Sequence, residues 1–184
     1  MSLTKTPICD FGKIAEDFKL KSINNELVSL ENIKGTNGTL IMFICNHCPY
    51  VKAIIKDVIE DCKNLKNDGI MSVAIMSNDT KNYPEDSFDN MIQFAKDNNF
   101  EDLDYLIDET QEVAKKYGAV CTPDFFGYNK NLELQYRGRI RELKNLKPVR
   151  DGDSDLKRAM KMISKTQRGP IEQIPSMGCN IKWF

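Results

Sequence analysis

At 184 residues the chain suits one domain spanning residues 1–184, and a chain of this length buries about 70% of its unfolded surface, so it needs neither disulfides nor a metal to hold a core. Its composition is 41% apolar and 29% charged, and its net charge of −1 comes from interspersed acids and bases, which speaks against nucleic acid or a membrane surface as partner. The longest apolar run, residues 40–45, is far too short to span a bilayer, and residues 1–7 lack the basic start and apolar stretch of a secretion signal, so the expected location is the cytoplasm.

In chain order, residues 18–20 and 27–30 read as two short strands turning at Asn24-Asn25, an N-terminal hairpin. Residues 35–38 form a loop. Residues 39–44 are continuously apolar with β-branched members and read as a buried central strand. Val51, Ile54, Ile55, Val58, Ile59, Cys62 and Leu65 recur at helical spacing, predicting a helix over about 47–66 that ends at Asp68-Gly69. Residues 70–76 read as a second buried strand. Pro84 suits the first turn of a further helix with Phe88, Met91, Ile92 and Ala95 on its apolar stripe.

A short strand over 105–107 and a short helix over 110–117 follow, the helix closed by Gly118. Residues 125–128 and 132–136 flank Asn129-Lys130-Asn131 as a hairpin. Leu156, Ala159, Met160 and Ile163 mark a last helix. Residues 166–184 hold Gly169-Pro170 and Pro175 and read as an extended C-terminal tail over the surface. Alternating strands and helices imply a parallel core, with the late hairpin adding antiparallel strands: an α/β fold with a central mixed β-sheet flanked by helices.

Six cysteines without a secretion signal point to thiols, metal ligands or redox chemistry rather than to a disulfide scaffold. Cys45-Asn46-His47-Cys48-Pro49 falls where the central strand meets the first long helix. A helix N-terminus offers free N–H groups and the positive end of the dipole, so a thiolate there is stabilised. Two intervening residues let the sulfurs meet. On this reading Cys45 sits exposed at the tip and attacks, while the deeper Cys48 resolves the mixed disulfide. Pro49 costs little in the first turn. His47, the chain's one histidine, adds positive charge that favours the thiolate.

Lowering a thiol pKa from about 8.5 to about 7 raises the thiolate fraction roughly fifteenfold at neutral pH, and the loss of nucleophilicity takes back roughly fivefold. The larger effect is on equilibrium: the expected potential lies above the roughly −270 mV of thioredoxin. Zinc would need a fourth ligand besides Cys45, His47 and Cys48, and no second CxxC supplies one; no metal and no cofactor is expected. Cys121 and Cys179 are possible additional redox thiols or packed residues, Cys62 belongs to the core, and nothing assigns Cys9 a role. Arg137 and Arg139 read as solvated edge charges, residues 83–87 as a proline-started helix whose acids suit the dipole, and Trp183 as a packed anchor of the tail.

Several stretches together resemble the thioredoxin-like redoxins grouped with alkyl hydroperoxide reductase and thiol-specific antioxidant proteins (AhpC/TSA), in their peroxiredoxin-like branch. They are Phe43-Ile44-Cys45-Asn46-His47-Cys48-Pro49-Tyr50-Val51-Lys52-Ala53, Tyr83-Pro84-Glu85-Asp86-Ser87, Tyr117-Gly118-Ala119-Val120-Cys121-Thr122-Pro123-Asp124-Phe125-Phe126, Tyr136-Arg137-Gly138-Arg139-Ile140 and Gly178-Cys179-Asn180-Ile181-Lys182-Trp183. The resemblance implies the thioredoxin-like fold, a redox-active pair at Cys45 and Cys48, and a cis bond before Pro123. It places Pro123 facing the pair, with the Thr122 backbone presented to an extended thiol substrate as a strand edge is.

The chain departs from the peroxiredoxin pattern Pro-x-x-x-Thr-x-x-Cys. If Cys48 were the peroxide-attacking cysteine, Ile41 would stand at the proline and Cys45 at the threonine, replacing the hydroxyl by a weaker hydrogen-bonding thiol. The expected activity is therefore thiol–disulfide exchange with protein or small-molecule thiols and disulfides and an electron donor not named by the sequence. Thiol peroxidase activity and a non-enzymatic zinc- or partner-binding module are the alternatives.

Overall fold

The structure, a computed structural model, describes residues 2–184; Met1, the first residue of the N-terminal stretch read above, lies outside the described residues. The chain forms β1 (Leu3–Lys5), the hairpin β2 (Lys19–Ser22) and β3 (Leu27–Ser29), then β4 (Gly38–Phe43), α1 (Pro49–Lys66), β5 (Ile70–Met76), α2 (Phe88–Asp97), β6 (Asp104–Ile107) and α3 (Glu112–Tyr117). It continues with β7 (Cys121–Thr122), β8 (Asp124–Asn129), β9 (Leu134–Tyr136), the small hairpin β10 (Leu143–Lys144) and β11 (Lys147–Pro148), α4 (Asp155–Thr166) and β12 (Met177–Asn180).

The main sheet has the order β3-β2-β6-β5-β4-β8-β9. β4, β5 and β6 run parallel, and β8 pairs antiparallel with β4, Phe43 lying opposite Asp124. Every residue of β4 is buried because the strand is covered on both faces. Leu40, Met42 and Ile44 pack with the apolar stripes of α1 and α4, while Ile41 and Phe43 pack with α3, Phe126 and Tyr128. Val51, Ile54, Ile55, Val58 and Leu65 bury the inner face of α1, each worth about 1.5–3 kcal/mol. That packing fixes where the first turn of the helix lies, and with it the cysteine pair.

Several segments differ from the sequence reading, among them β7 and the β10–β11 hairpin, to which no element was assigned. Pro84 opens a short 3-10 turn, Pro84–Asp86, and α2 begins after it with Ser87 as its N-cap, accepting from the Asn90 N–H. Leu3–Lys5, to which no element was assigned, is a strand. The tail runs over the surface only up to about residue 175: β12 is the middle strand of a second sheet, β1-β12-β7, with Cys179 and Ile181 buried. A lone four-residue strand with a glycine and a cysteine carries too little periodicity to be seen without its partners. Among the described residues, no helix is long and apolar enough to cross a membrane.

Candidate active site

The loop from β4 to α1 delivers Cys45 and Cys48 to one residue, Thr122. The Cys45 sulfur lies 3.3 Å from the Thr122 hydroxyl, and the Cys48 thiol donates to the Thr122 carbonyl at 3.2 Å. The Thr122–Pro123 bond is cis. All six cysteines carry thiols. The structure thus brings together Cys45, Cys48, Thr122 and Pro123.

Two features of the pair differ from the expectation. Cys45 is not an exposed tip: it is 1% accessible and Cys48 0%. The two sulfurs also titrate as a pair rather than one by one. Cys48 is the N-cap of α1, and its thiol is lowered to about 5. The adjoining Cys45 thiol is the largest cause; burial opposes it, and the N–H groups of Val51 and Cys179 and the Cys179 thiol add to the lowering. Cys45 is raised well above an ordinary thiol by competition with Cys48 for one proton, by burial, and by the nearby charge of Asp86. The lowering is thus chiefly the work of the paired sulfur, to which the Val51 N–H in the first turn of α1 adds.

His47 is held on the rim by the second loop. Its Nδ1 lies 2.6 Å from the Asp86 carboxylate, and its ring stacks on Tyr83 at 5.9 Å. Asp86 is fully buried and also accepts the Asn46 N–H at 2.8 Å and the Asn78 side-chain amide at 2.8 Å. Asn46 in turn donates to the Glu85 carbonyl and accepts from Tyr105 Oη at 2.9 Å. Residues 83–87 are thus in direct contact with the cysteine loop, not merely a helix start. Sequence reasoning passed over Asp86, Asn78 and Tyr105; the one available signal was Asp86 inside a motif already singled out.

Cys45, His47 and Asp86 bring ligand atoms within 4.8 Å of one another, the grouping a cation would need. Two ligands of one tetrahedral zinc stand about 3.3 Å apart, given bonds of about 2.0–2.1 Å. The His47–Asp86 contact at 2.6 Å is closer than that and is a hydrogen bond, so the trio as arranged does not fit zinc.

Arg137, expected as a solvated charge, is buried. It binds Asp124 through Nε at 3.3 Å and Nη2 at 3.0 Å, gives Nη2 to the Gly118 carbonyl, and lies over the Phe126 ring. Burial raises the Asp124 carboxyl to about 6 against the pull of this guanidinium. The pair anchors the chain immediately after Pro123. Arg139 is half-buried and paired with Asp155 at 2.8 Å. Trp183 is 41% exposed under the Lys115 ammonium, so it does not anchor the tail by burial.

The remaining cysteines separate. Cys179 on β12 lies opposite Thr122 and against Cys48. Cys121 is buried with its thiol toward the Pro123 carbonyl at 3.6 Å; burial raises it most, then the Asp124 charge, and the nearby Cys48 and Cys179 add to the rise. Cys62 is in the core, where burial pushes its thiol up to about 12. Cys9 lies beside Gln173 and Arg137. The Thr122 backbone, expected to be open to a substrate, is paired with Cys179 of the same chain. A cavity of about 540 Å³ opens on the far side of Pro123, lined by Tyr50, Ile54, Leu143 and Met177 among others, and neither Cys45 nor Cys48 lines it.

The sequence model of the AhpC/TSA family matches residues 11–143. Among solved structures, an uncharacterized conserved protein from Geobacillus kaustophilus superposes with a TM-score of 0.94 at 37% identity, covering 100% of this chain and 97% of that one. A hypothetical protein from Sinorhizobium meliloti 1021 gives 0.90 at 34% identity over 98% of each chain. The thioredoxin domain of a thiol-disulfide oxidoreductase from Bacteroides vulgatus gives 0.58 at 14% identity, covering 73% of this chain and 89% of that one; the likeness is one of fold, and the fold is thioredoxin-like. No curated protein matches the sequence.

Proposed function

The chain belongs to the AhpC/TSA family, and from that membership we propose that it is a thiol–disulfide oxidoreductase that cycles Cys45 and Cys48 between dithiol and disulfide. The observation that carries the reading is the meeting of both sulfurs at Thr122, one on its hydroxyl and one on its carbonyl. The thiolate of the pair attacks a substrate disulfide and expels one substrate thiolate. The partner thiol then gives up its proton, bonds to the first sulfur and expels the second substrate thiol, leaving a Cys45–Cys48 disulfide. An external thiol donor returns the pair to the dithiol. His47 is fixed beside the pair by Asp86 and Tyr83, and both sulfurs rest on Thr122.

Exchange with glutathione redox buffers, followed by peptide mass mapping, tests this. A reversible Cys45–Cys48 disulfide is expected, and replacing Cys48 by serine abolishes exchange. If wild-type protein keeps both thiols across the buffer series, the reading fails. Rapid consumption of hydrogen peroxide by the same preparation would instead favour the peroxidase reading.

A further inference from the structure

Lys182 carries a buried ammonium that meets no carboxylate. The residue is 7% accessible, and a lysine this buried is ordinarily paired. Arg137, Arg139 and Arg141, likewise little exposed, each meet a carboxylate, on Asp124, Asp155 and Asp57. Among the described residues, Lys182 finds only neutral partners. Its Nζ donates to the Asn180 carbonyl at 2.6 Å and to the Asn180 Oδ1 at 2.9 Å, and it lies 5.7 Å from the centre of the Tyr83 ring, within reach of a cation–π contact. An ammonium has three N–H donors, so one stays available. Asn180 and Tyr83 are themselves half-buried, so the ammonium lies close beneath the surface.

The main chain fixes where this charge sits. The Lys182 N–H bonds to the Asn78 Oδ1 at 2.9 Å, and the Lys182 carbonyl accepts from the Asp79 N–H and the Gln111 amide, each at 2.8 Å. The same Asn78 amide donates to Asp86, which holds His47 beside the cysteine pair, and Tyr83 lies against both His47 and Lys182. The ammonium therefore borders the pair on the side of His47 and Tyr83. Its charge also reaches the Cys179 thiol, but burial keeps that thiol raised to about 11, so Cys179 stays protonated and supplies no counter-charge.

Resting on the redox reading of the Cys45–Cys48 pair, we propose that Lys182, with Tyr83 and Asn180 around it, is the subsite for a carboxylate of the substrate, so that the protein acts on small disulfides that carry an anionic group. The carboxylate accepts the third N–H of the ammonium and supplies the missing charge, while Asn180 keeps the other two. A hydrogen bond between two charged groups is about twice as strong as a neutral one. The ammonium is already desolvated and oriented before the ligand arrives, so little freedom is lost on binding. Lys182 acts here as a specificity-determining residue: it selects and places the disulfide that the cysteine pair attacks.

The experiment follows formation of the Cys45–Cys48 disulfide in reduced protein under three small disulfides of similar size: dianionic dithiodiacetate, neutral bis(hydroxyethyl) disulfide and dicationic cystamine. Each rate is divided by the rate of the same disulfide with free mercaptoethanol, which removes differences in intrinsic reactivity. Wild type should favour dithiodiacetate over cystamine by about tenfold or more, and raising salt from about 0.05 M to about 0.5 M should shrink that preference by screening. Lys182→Met should lower the dithiodiacetate rate by about tenfold more than the bis(hydroxyethyl) disulfide rate, and Lys182→Arg should keep most of the preference, with far-UV circular dichroism checking each fold. Wild type without a preference for the anion overturns the proposal whether or not the variants fold. Equal losses on all three disulfides in a folded Lys182→Met overturn it too, since a lysine that served only the fold or the cysteine pair would act on every substrate alike. A wild-type protein that forms no Cys45–Cys48 disulfide with any of the three overturns the redox reading itself.

Discussion

The buried Asp86 carboxylate accepts the backbone N–H of Asn46 at 2.8 Å, tying the middle of the cysteine loop to a turn forty residues away. Its other oxygen takes His47 and Asn78, and Asn78 in turn holds Lys182 of the tail. One carboxylate thus links the loop carrying the sulfurs, the loop after β5 and the strand that covers Thr122. It also places a negative charge near Cys45.

Replacing Asp86 by Asn removes that charge and sets an amide donor against either Asn46 or the donors Asn78 and His47. The expected cost is about 1–3 kcal/mol from unsatisfied buried groups. The Cys45 thiol, raised partly by Asp86, should titrate lower in the variant. Thermal unfolding reads the first effect and thiolate absorbance at alkaline pH the second; an unchanged Cys45 titration would contradict the electrostatic assignment.

The Cys45–Cys48 pair should lose its first proton with a midpoint near 5, so alkylation of the reduced protein rises through that pH and is flat by neutrality. Its folded value lies below the unfolded thiol's value of about 8.5, so the ionised thiol contributes stability that is fully present above that pH and is lost as pH falls through the folded value. The reduced protein should therefore lose stability relative to the oxidised protein between about pH 8.5 and 5. A midpoint near that of a free thiol would contradict the assignment.

The same thiolate stabilises the dithiol over the disulfide. The Cys45–Cys48 couple should be more oxidising than thioredoxin's roughly −270 mV, measured by equilibration with glutathione. A value below about −290 mV would show that the stabilised thiolate does not set the redox poise.

Arg137→Met leaves Asp124 buried without its cation and should cost about 3–5 kcal/mol. The Asp124 carboxyl, already raised by burial, then rises further. A raised folded value means stability is greatest below the unfolded carboxyl's pKa and is lost as pH rises through the folded one, so the variant's deficit should shrink on acidification. Adding Asp124→Asn should recover part of the loss, which denaturant unfolding of the single and double variants measures.

Gly178→Ala places a methyl carbon against the Thr122 carbonyl, a backbone atom that cannot rotate away. β12 should lift from β7, at a cost of about 1–3 kcal/mol or more. Faster amide exchange over residues 177–181 and easier alkylation of Cys179 check this; a fully protected strand in the variant would contradict it.

What the sequence alone determined is local. Continuous apolar runs marked β4 and β5, helical spacing marked α1 and α4, and the CxxC at a strand–helix junction marked the pair, because each signal lies within a few neighbouring residues. What only the tertiary structure decided is that both sulfurs meet at Thr122, where Asp86 and Arg137 are buried, and that residues 177–180 form a strand over Thr122. Those outcomes depend on partners 13 to 77 residues away. A hydrogen bond, a desolvated charge or a strand pairing between distant segments leaves no periodicity in either segment by itself, so the chemistry of the cysteine pair is written in its contacts rather than in its motif.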